Sequence, residues 1–216
     1  MKVWIVRHAE SQGNATGNYS TAVSDSLSEK GHTQAATLAQ SLASQDFDRI
    51  IVSPLQRTME SVTPYLQMTQ QRAELWPEIT EACWHPEREA PADAWRTQPA
   101  PLPATLSPLF YYRDAAAIRP AHPESFGEGL CRVRDALNLL ENLGRDQDAS
   151  ILMVTHGHFI RELLNLMLDT DTIRDFPHDN CGITGLRFDG RWRLDFSNRL
   201  LPALTQAAQP RGHAVD

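Results

Sequence analysis

Two apolar runs in this chain stop at a histidine. Val3 to Val6 leads into Arg7-His8, and Ile151 to Val154 leads into Thr155-His156-Gly157. A third run, Arg49 to Val52, is followed by Ser53-Pro54 and then Arg57. Guanidinium forks match phosphate oxygens two at a time and keep their charge at every physiological pH. An imidazole beside them can attack phosphorus as a nucleophile. The segment after His156-Gly157 opens a helix whose first amides can face an anion. Brought into one cleft, Arg7, His8, Arg57 and His156 would form a phosphate site. Taken singly, each has a plainer reading. A histidine at a strand end is commonly a hydrogen-bonded, partly buried residue. Arg57 could lie on a solvated helix face, and Gly157 could serve only a tight strand–helix junction.

The elements that must position these groups are legible in the pattern of side chains. Val3–Val6, Arg49–Val52 and Ile151–Val154 read as short buried strands, and 74–76 as a further one. Ser28–Ser44 reads as a helix capped by Ser28, with Ala35, Leu38, Ala39 and Leu42 at helical spacing. A second helix is expected from Ser53-Pro54 to about Met68, with proline in its first turn. Ser125–Leu143 places Leu130, Val133, Leu137 and Leu140 on one face and should stop at Gly144. Phe159–Leu168 is a further helix. Asp189-Gly190 between 182–188 and 192–196 is a hairpin signal. The polar stretch Gly13–Asp25 reads as loop. Strands alternating with helices imply a three-layer α/β/α sandwich, a mostly parallel central sheet with helices on both faces, plus a C-terminal hairpin. Ligands of such sheets bind beyond the carboxyl ends of strands, where both histidines fall.

The chain has 216 residues, 41% hydrophobic and 22% charged, which suits one domain spanning 1–202. Segment 84–123 holds most of the fourteen prolines and reads as an irregular insertion with one or two short helices. It also carries Arg88, Arg96, Arg113 and Arg119, which could meet a distal anionic group of a substrate. From about Ala203 the tail is expected to be mobile. A net charge of -7 argues against a nucleic-acid partner, while a few clustered arginines can still hold a small anion. Cys83, Cys131 and Cys181 are widely spaced and read as small buried hydrophobes rather than a disulfide or metal set. The N-terminal apolar run is too short for a signal peptide or a membrane span, so the cytoplasm is the expected location and no membrane partner is expected.

Five segments, in order, resemble the histidine phosphatase superfamily, which includes the phosphoglycerate mutases. Arg7-His8-Ala9-Glu10-Ser11-Gln12-Gly13-Asn14 is similar to its Arg-His-Gly-Glu-x-x-x-Asn opening. Asp25-Ser26-Leu27-Ser28-Glu29-Lys30-Gly31 resembles the following segment, and Ser53-Pro54-Leu55-Gln56-Arg57 the Ser-x-x-x-Arg segment. Pro123-Glu124-Ser125 resembles the Gly-Glu-Ser before a late helix, and Thr155-His156-Gly157-His158 the His-Gly block. The resemblance implies a phosphoglycerate mutase-like fold, no cofactor or metal, and a small phosphorylated substrate. It implies that His8 becomes phosphorylated, that Arg7, Arg57 and His156 bind the phosphoryl oxygens, that Asn14 donates a further hydrogen bond, and that Gly157 keeps the pocket wall small. A glutamate that protonates the leaving oxygen is implied after the second strand–helix unit. Glu81 is favoured for it, with Glu78 as competitor.

Two departures stand out. Ala9 occupies the family's glycine position after the histidine, and the Gly-x-Trp-Glu-Gly pattern that often follows the acid is absent after Glu81. The expected function is phosphomonoester hydrolysis. The alternatives are a mutase-type phosphotransferase, disfavoured because Arg-His-Tyr is missing after the acid, and a non-catalytic phospho-ligand binder. His158 is expected to be supporting or structural. A metal centre on His8, His156 and His158 is disfavoured, because the neighbouring arginines would repel a divalent cation.

Overall fold

The computed structural model describes residues 1–18, 25–81, 102, 104–113, 125–171 and 177–200. Its centre is a seven-stranded sheet in the order β4-β3-β2-β5-β1-β6-β7. Strands β1 (Lys2–Arg7), β2 (Arg49–Val52), β3 (Ala73–Leu75), β4 (Phe110–Tyr112) and β5 (Ser150–Thr155) run parallel. The hairpin of β6 (Ile183–Phe188) and β7 (Trp192–Arg199) extends the sheet antiparallel beside β1. Its turn passes through Gly190, whose φ of 95° suits a residue without a Cβ.

Both faces of the sheet are covered, which is why the central strands are apolar at nearly every position. Side chains alternate between the faces along each strand. Val3, Ile5, Ile151 and Met153 pack with α4 (Phe126–Asp146) and α5 (Gly157–Leu168). Val6, Val52, Leu152 and Val154 pack with α2 (Glu29–Leu42) and α3 (Gln56–Thr69). Phe159 and Leu164 are fully buried on the first face, each contributing about 1.5–3 kcal/mol of apolar burial. The chain leaves β1 for helices on one face and leaves β5 for a helix on the other. The cleft above neighbouring β1 and β5 is therefore the switch point of the sheet.

Several elements differ from the sequence reading. The polar stretch after β1 contains a short helix, α1 (Gln12–Thr16), because Ser11 and Asn14 form a reciprocal capping box. Helix α3 begins at Gln56, two residues after Pro54, and Leu55 at its N-cap makes no side-chain capping bond. Helix α4 does not stop at Gly144 but runs on to Asp146. Gly144 is there for space: a Cβ would come within 2.6 Å of Phe188 Cδ1 and 2.8 Å of Met1 Cε. The proline-rich segment supplies a single 3-10 turn, Ser107–Leu109, and then the edge strand β4, among its described residues. The strand was missed because three residues are too few to show a period. Cys181 is buried as expected, whereas Cys131 is exposed on α4. Cys83 and the tail from 203 lie outside the described residues. No described helix is long and apolar enough to cross a membrane.

Candidate active site

The site forms at the carboxyl ends of β1 and β5, where parallel pairing sets Arg7 beside Thr155 and brings the next residues together. The His8 amide donates to Thr155 O at 2.9 Å, and the His8 and His156 rings lie 5.2 Å apart between centroids. Both rings are buried, 3% and 0% exposed. Arg57 reaches them from the first turn of α3. Its Nε donates to His8 Nε2 at 3.2 Å and its Nη2 to His156 Nδ1 at 3.1 Å.

An arginine can only donate, so these contacts fix the tautomers. His8 Nε2 carries a lone pair, and His8 Nδ1–H donates to Ala9 O at 2.7 Å. His156 Nδ1 likewise accepts, so its Nε2–H donates to Ser53 Oγ at 2.8 Å. Burial lowers the pKa of both rings well below the ordinary value, and the charge of Arg57 lowers them further. Both imidazoles are thus neutral at physiological pH.

Arg7 lies across Gly157, from which a Cβ would sit 3.5 Å from Arg7 Nε, and its Nη1 donates to His178 O at 2.5 Å. Asn14 accepts from Ser11 N at 3.2 Å and from Asn180 Nδ2 at 3.4 Å, which ties α1 to the loop before β6. Ala9 is fully buried in the apolar cluster on the α2/α3 face, so its extra methyl packs in the core. Its amide donates to Ser61 Oγ at 2.8 Å.

The two carboxylate candidates separate. Glu81 Oε1 accepts the Phe159 amide at 3.0 Å, at the N-terminal turn of the helix that follows His156. Glu78 Oε1 meets Arg113 at 3.4 Å, and its Oε2 is buried with no hydrogen-bond partner. Arg113, one of the four insertion arginines, also lies over the Trp76 ring at 5.3 Å. Arg88, Arg96 and Arg119 lie outside the described residues. The backbone around both glutamates is held by Arg132 of α4, whose guanidinium donates to Glu78 O, Thr80 O and Glu81 O at 3.0, 2.7 and 3.0 Å.

The sequence reading missed several contributors. Asp25 contacts Arg57 Nη1 and accepts the Gln56 amide at 2.8 Å. Asn180 donates to His8 O at 2.8 Å, and Cys181, at a φ of 59°, gives its amide to Arg7 O at 2.9 Å. His178 is held neutral, its pKa lowered to about 4 by burial and by the charges of Arg7 and Arg161. Asp25 stands at the head of the Asp25–Gly31 segment that resembles the family. The 178–181 loop offered no signal beyond a polar stretch before a strand. His158 lies at the second position of α5, half-buried beside His178.

Residues 3–199 match the histidine phosphatase superfamily (branch 1), and the chain belongs to that family. Among curated proteins it is 29% identical to a probable phosphatase of Schizosaccharomyces pombe, over 63% of this chain and 57% of that protein. It is 36% identical to the adenosylcobalamin/alpha-ribazole phosphatase of Salmonella typhi over 38% of this chain and 40% of that one. It is 47% identical to phosphoserine phosphatase 1 of Hydrogenobacter thermophilus over 27% and 28% of the two chains. The matched stretches therefore span little more than half of these relatives or less. The fold is shared with the alpha-ribazole phosphatase of Shigella flexneri, at a TM-score of 0.68 and 21% identity over 92% of this chain and 96% of that one. It is also shared with the phosphoserine phosphatase of Entamoeba histolytica in complex with 3-phosphoglyceric acid, at 0.62 and 22% over 92% and 97%.

Proposed function

We propose that this chain hydrolyses small phosphomonoesters through a phosphohistidine on His8. The observation that carries the reading is the buried, neutral His8, whose unprotonated Nε2 faces the guanidinium of Arg57. Phosphatase-named relatives and membership of the family support the same reading. In the first step Nε2 attacks phosphorus and the P–O ester bond breaks. The leaving oxygen takes a proton from a carboxyl group, assigned to Glu81. In the second step Glu81 accepts a proton from water, the oxygen attacks the phosphohistidine, and inorganic phosphate leaves with His8 restored. Arg7 and Arg57 balance the charge on the phosphoryl oxygens in both steps, and neutral His156 and Asn14 bind those oxygens by hydrogen bonds. Gly157 keeps the pocket wall beside Arg7 small.

His8 Nδ1–H and Ala9 O hold the ring in the required tautomer. No deprotonation is needed before attack, because the ring is already neutral. Glu81 is favoured because its carboxylate sits at the same helix end that His156 caps.

The test is hydrolysis of p-nitrophenyl phosphate with chelator present, wild type beside His8→Ala, with quenched protein probed for a base-stable phosphoryl adduct. Because a phosphohistidine survives alkali and is lost in acid, the quench is alkaline; turnover and adduct in wild type alone are expected. Equal turnover in His8→Ala would sink the mechanism. Loss in chelator that zinc restores would replace it with a metal-dependent one. Turnover that appears only when a second phospho-acceptor is supplied would favour the phosphotransferase.

A further inference from the structure

Arg57 has a third contact that the proposed chemistry does not use. Its Nη1 is held by Asp25 Oδ1, while Nε and Nη2 point at His8 and His156. Resting on the proposed function, we propose that Asp25 is a positioning residue, whose carboxylate aims the Arg57 guanidinium at the phosphoryl site.

Asp25 and Arg57 are buried together, 7% and 6% exposed. A buried cation needs a counter-charge, and a long side chain needs an anchor if one rotamer is to persist. Asp25 supplies both. It is itself fixed from several sides. Asp25 Oδ2 accepts the Gln56 amide at 2.8 Å, at the first residue of α3. The residues after it are tied to both neighbouring segments. Ser26 O accepts from Gln12 N at 2.8 Å, Leu27 N donates to Glu60 Oε2 at 2.7 Å, and Ser28 N donates to Glu10 O at 2.9 Å. Glu60 in turn accepts from Gln56 Nε2 at 2.7 Å. One carboxylate is thereby locked to the loop that follows His8 and to the helix that carries Arg57. Any shift of one against the other would be felt at the guanidinium.

A purely structural role is the competing account. Leu55 at the N-cap of α3 makes no side-chain capping bond, so Asp25 also serves as that helix's cap from elsewhere in the chain. Asp25→Asn separates the two roles. The amide oxygen can still accept the Gln56 amide, while the negative charge facing Arg57 is lost.

The experiment measures kcat/KM for p-nitrophenyl phosphate, vanadate inhibition and thermal midpoint for wild type, Asp25→Asn and Asp25→Glu. NMR exchange of the Arg57 Nε–H is followed in the same proteins. For Asp25→Asn we expect kcat/KM and vanadate affinity to fall together by about 10- to 100-fold, the range for small misplacement of a reacting group. The thermal midpoint should stay near wild type, the Nε–H should lose protection, and Asp25→Glu should recover part of the activity. Wild-type kinetics in Asp25→Asn with an unchanged Nε–H would overturn the proposal. So would activity that falls only in step with the thermal midpoint. Absence of turnover in wild type would instead overturn the proposed function, and the Nε–H exchange would still decide whether Asp25 holds Arg57.

Discussion

Arg57 Nε lies 3.2 Å from His8 Nε2, so the one imidazole nitrogen without a proton faces a guanidinium. The same side chain binds His156 through Nη2 and Asp25 through Nη1. A lysine offers one compact ammonium in place of this planar fork and cannot meet three partners in one plane. Arg57→Lys should therefore keep the fold and lower kcat/KM by about 100- to 1000-fold, the effect of losing a preorganised donor to developing charge. Steady-state kinetics on an aryl phosphate, with a circular dichroism spectrum of the variant, checks both halves. Activity within a few-fold of wild type would mean that only the charge of Arg57 matters.

The buried histidines also set how stability responds to acid. His8 and His156 have folded pKa values well below 6.5, and His178 lies at about 4. Above pH 6.5 these rings are neutral in both the folded and the unfolded chain, and they add no pH dependence. Below it the unfolded chain takes up protons that the folded chain refuses, so stability falls as pH drops. The limiting slope is about 1.4 kcal/mol per pH unit for each fully buried ring. For His178 the loss should level off near pH 4. Urea unfolding between pH 7.5 and pH 4.5, wild type beside His178→Gln, reads the effect. A smaller decline in the variant is expected, and identical slopes would remove His178 from the account.

Much of this architecture could be read from side-chain pattern because the signals are local. Ser28 caps α2 where the sequence placed it, and Asp189-Gly190 turns the hairpin. The two histidines meet because the runs before them are neighbouring parallel strands, which periodicity could not establish and strand pairing does. What stayed hidden depended on contacts distant along the chain. Gly144 looked like a helix stop because its need for space comes from Phe188 and Met1. Asp25 looked like loop because its partner is 32 residues away. Arg132 read as one more polar helix residue, although it holds the backbone carrying both candidate acids.

Gly144 gives a direct measure of that packing. A valine there would press its Cβ against Phe188 and Met1 at separations that real contacts do not show. Overpacking of this kind costs about 1–3 kcal/mol. Gly144→Val should lower the urea midpoint accordingly and leave KM unchanged, because the residue is remote from the histidines along the sheet. An unchanged midpoint would show that the Phe188 and Met1 side chains yield freely.

The proton donor can be separated by chemistry rather than by position. An aryl phosphate leaves as a phenolate that needs little protonation, whereas an alkyl phosphate leaves as a strongly basic alkoxide. Removing the general acid should therefore cost little in kcat/KM on the first and about 100-fold or more on the second. Glu81 carries the assignment from its place at the α5 N-terminus, and Glu78 competes because its Oε2 is buried without a partner. In Glu81→Gln the ratio of kcat/KM for an alkyl to an aryl phosphomonoester should collapse, because kcat/KM reports the step in which the ester oxygen leaves, while in Glu78→Gln both values should move together. The uncharged but equally long side chain of Glu78→Gln could still accept from Arg113, so the loop geometry should be kept. If the collapse appears in Glu78→Gln instead, the acid is Glu78, and the Glu81 carboxylate serves the end of α5.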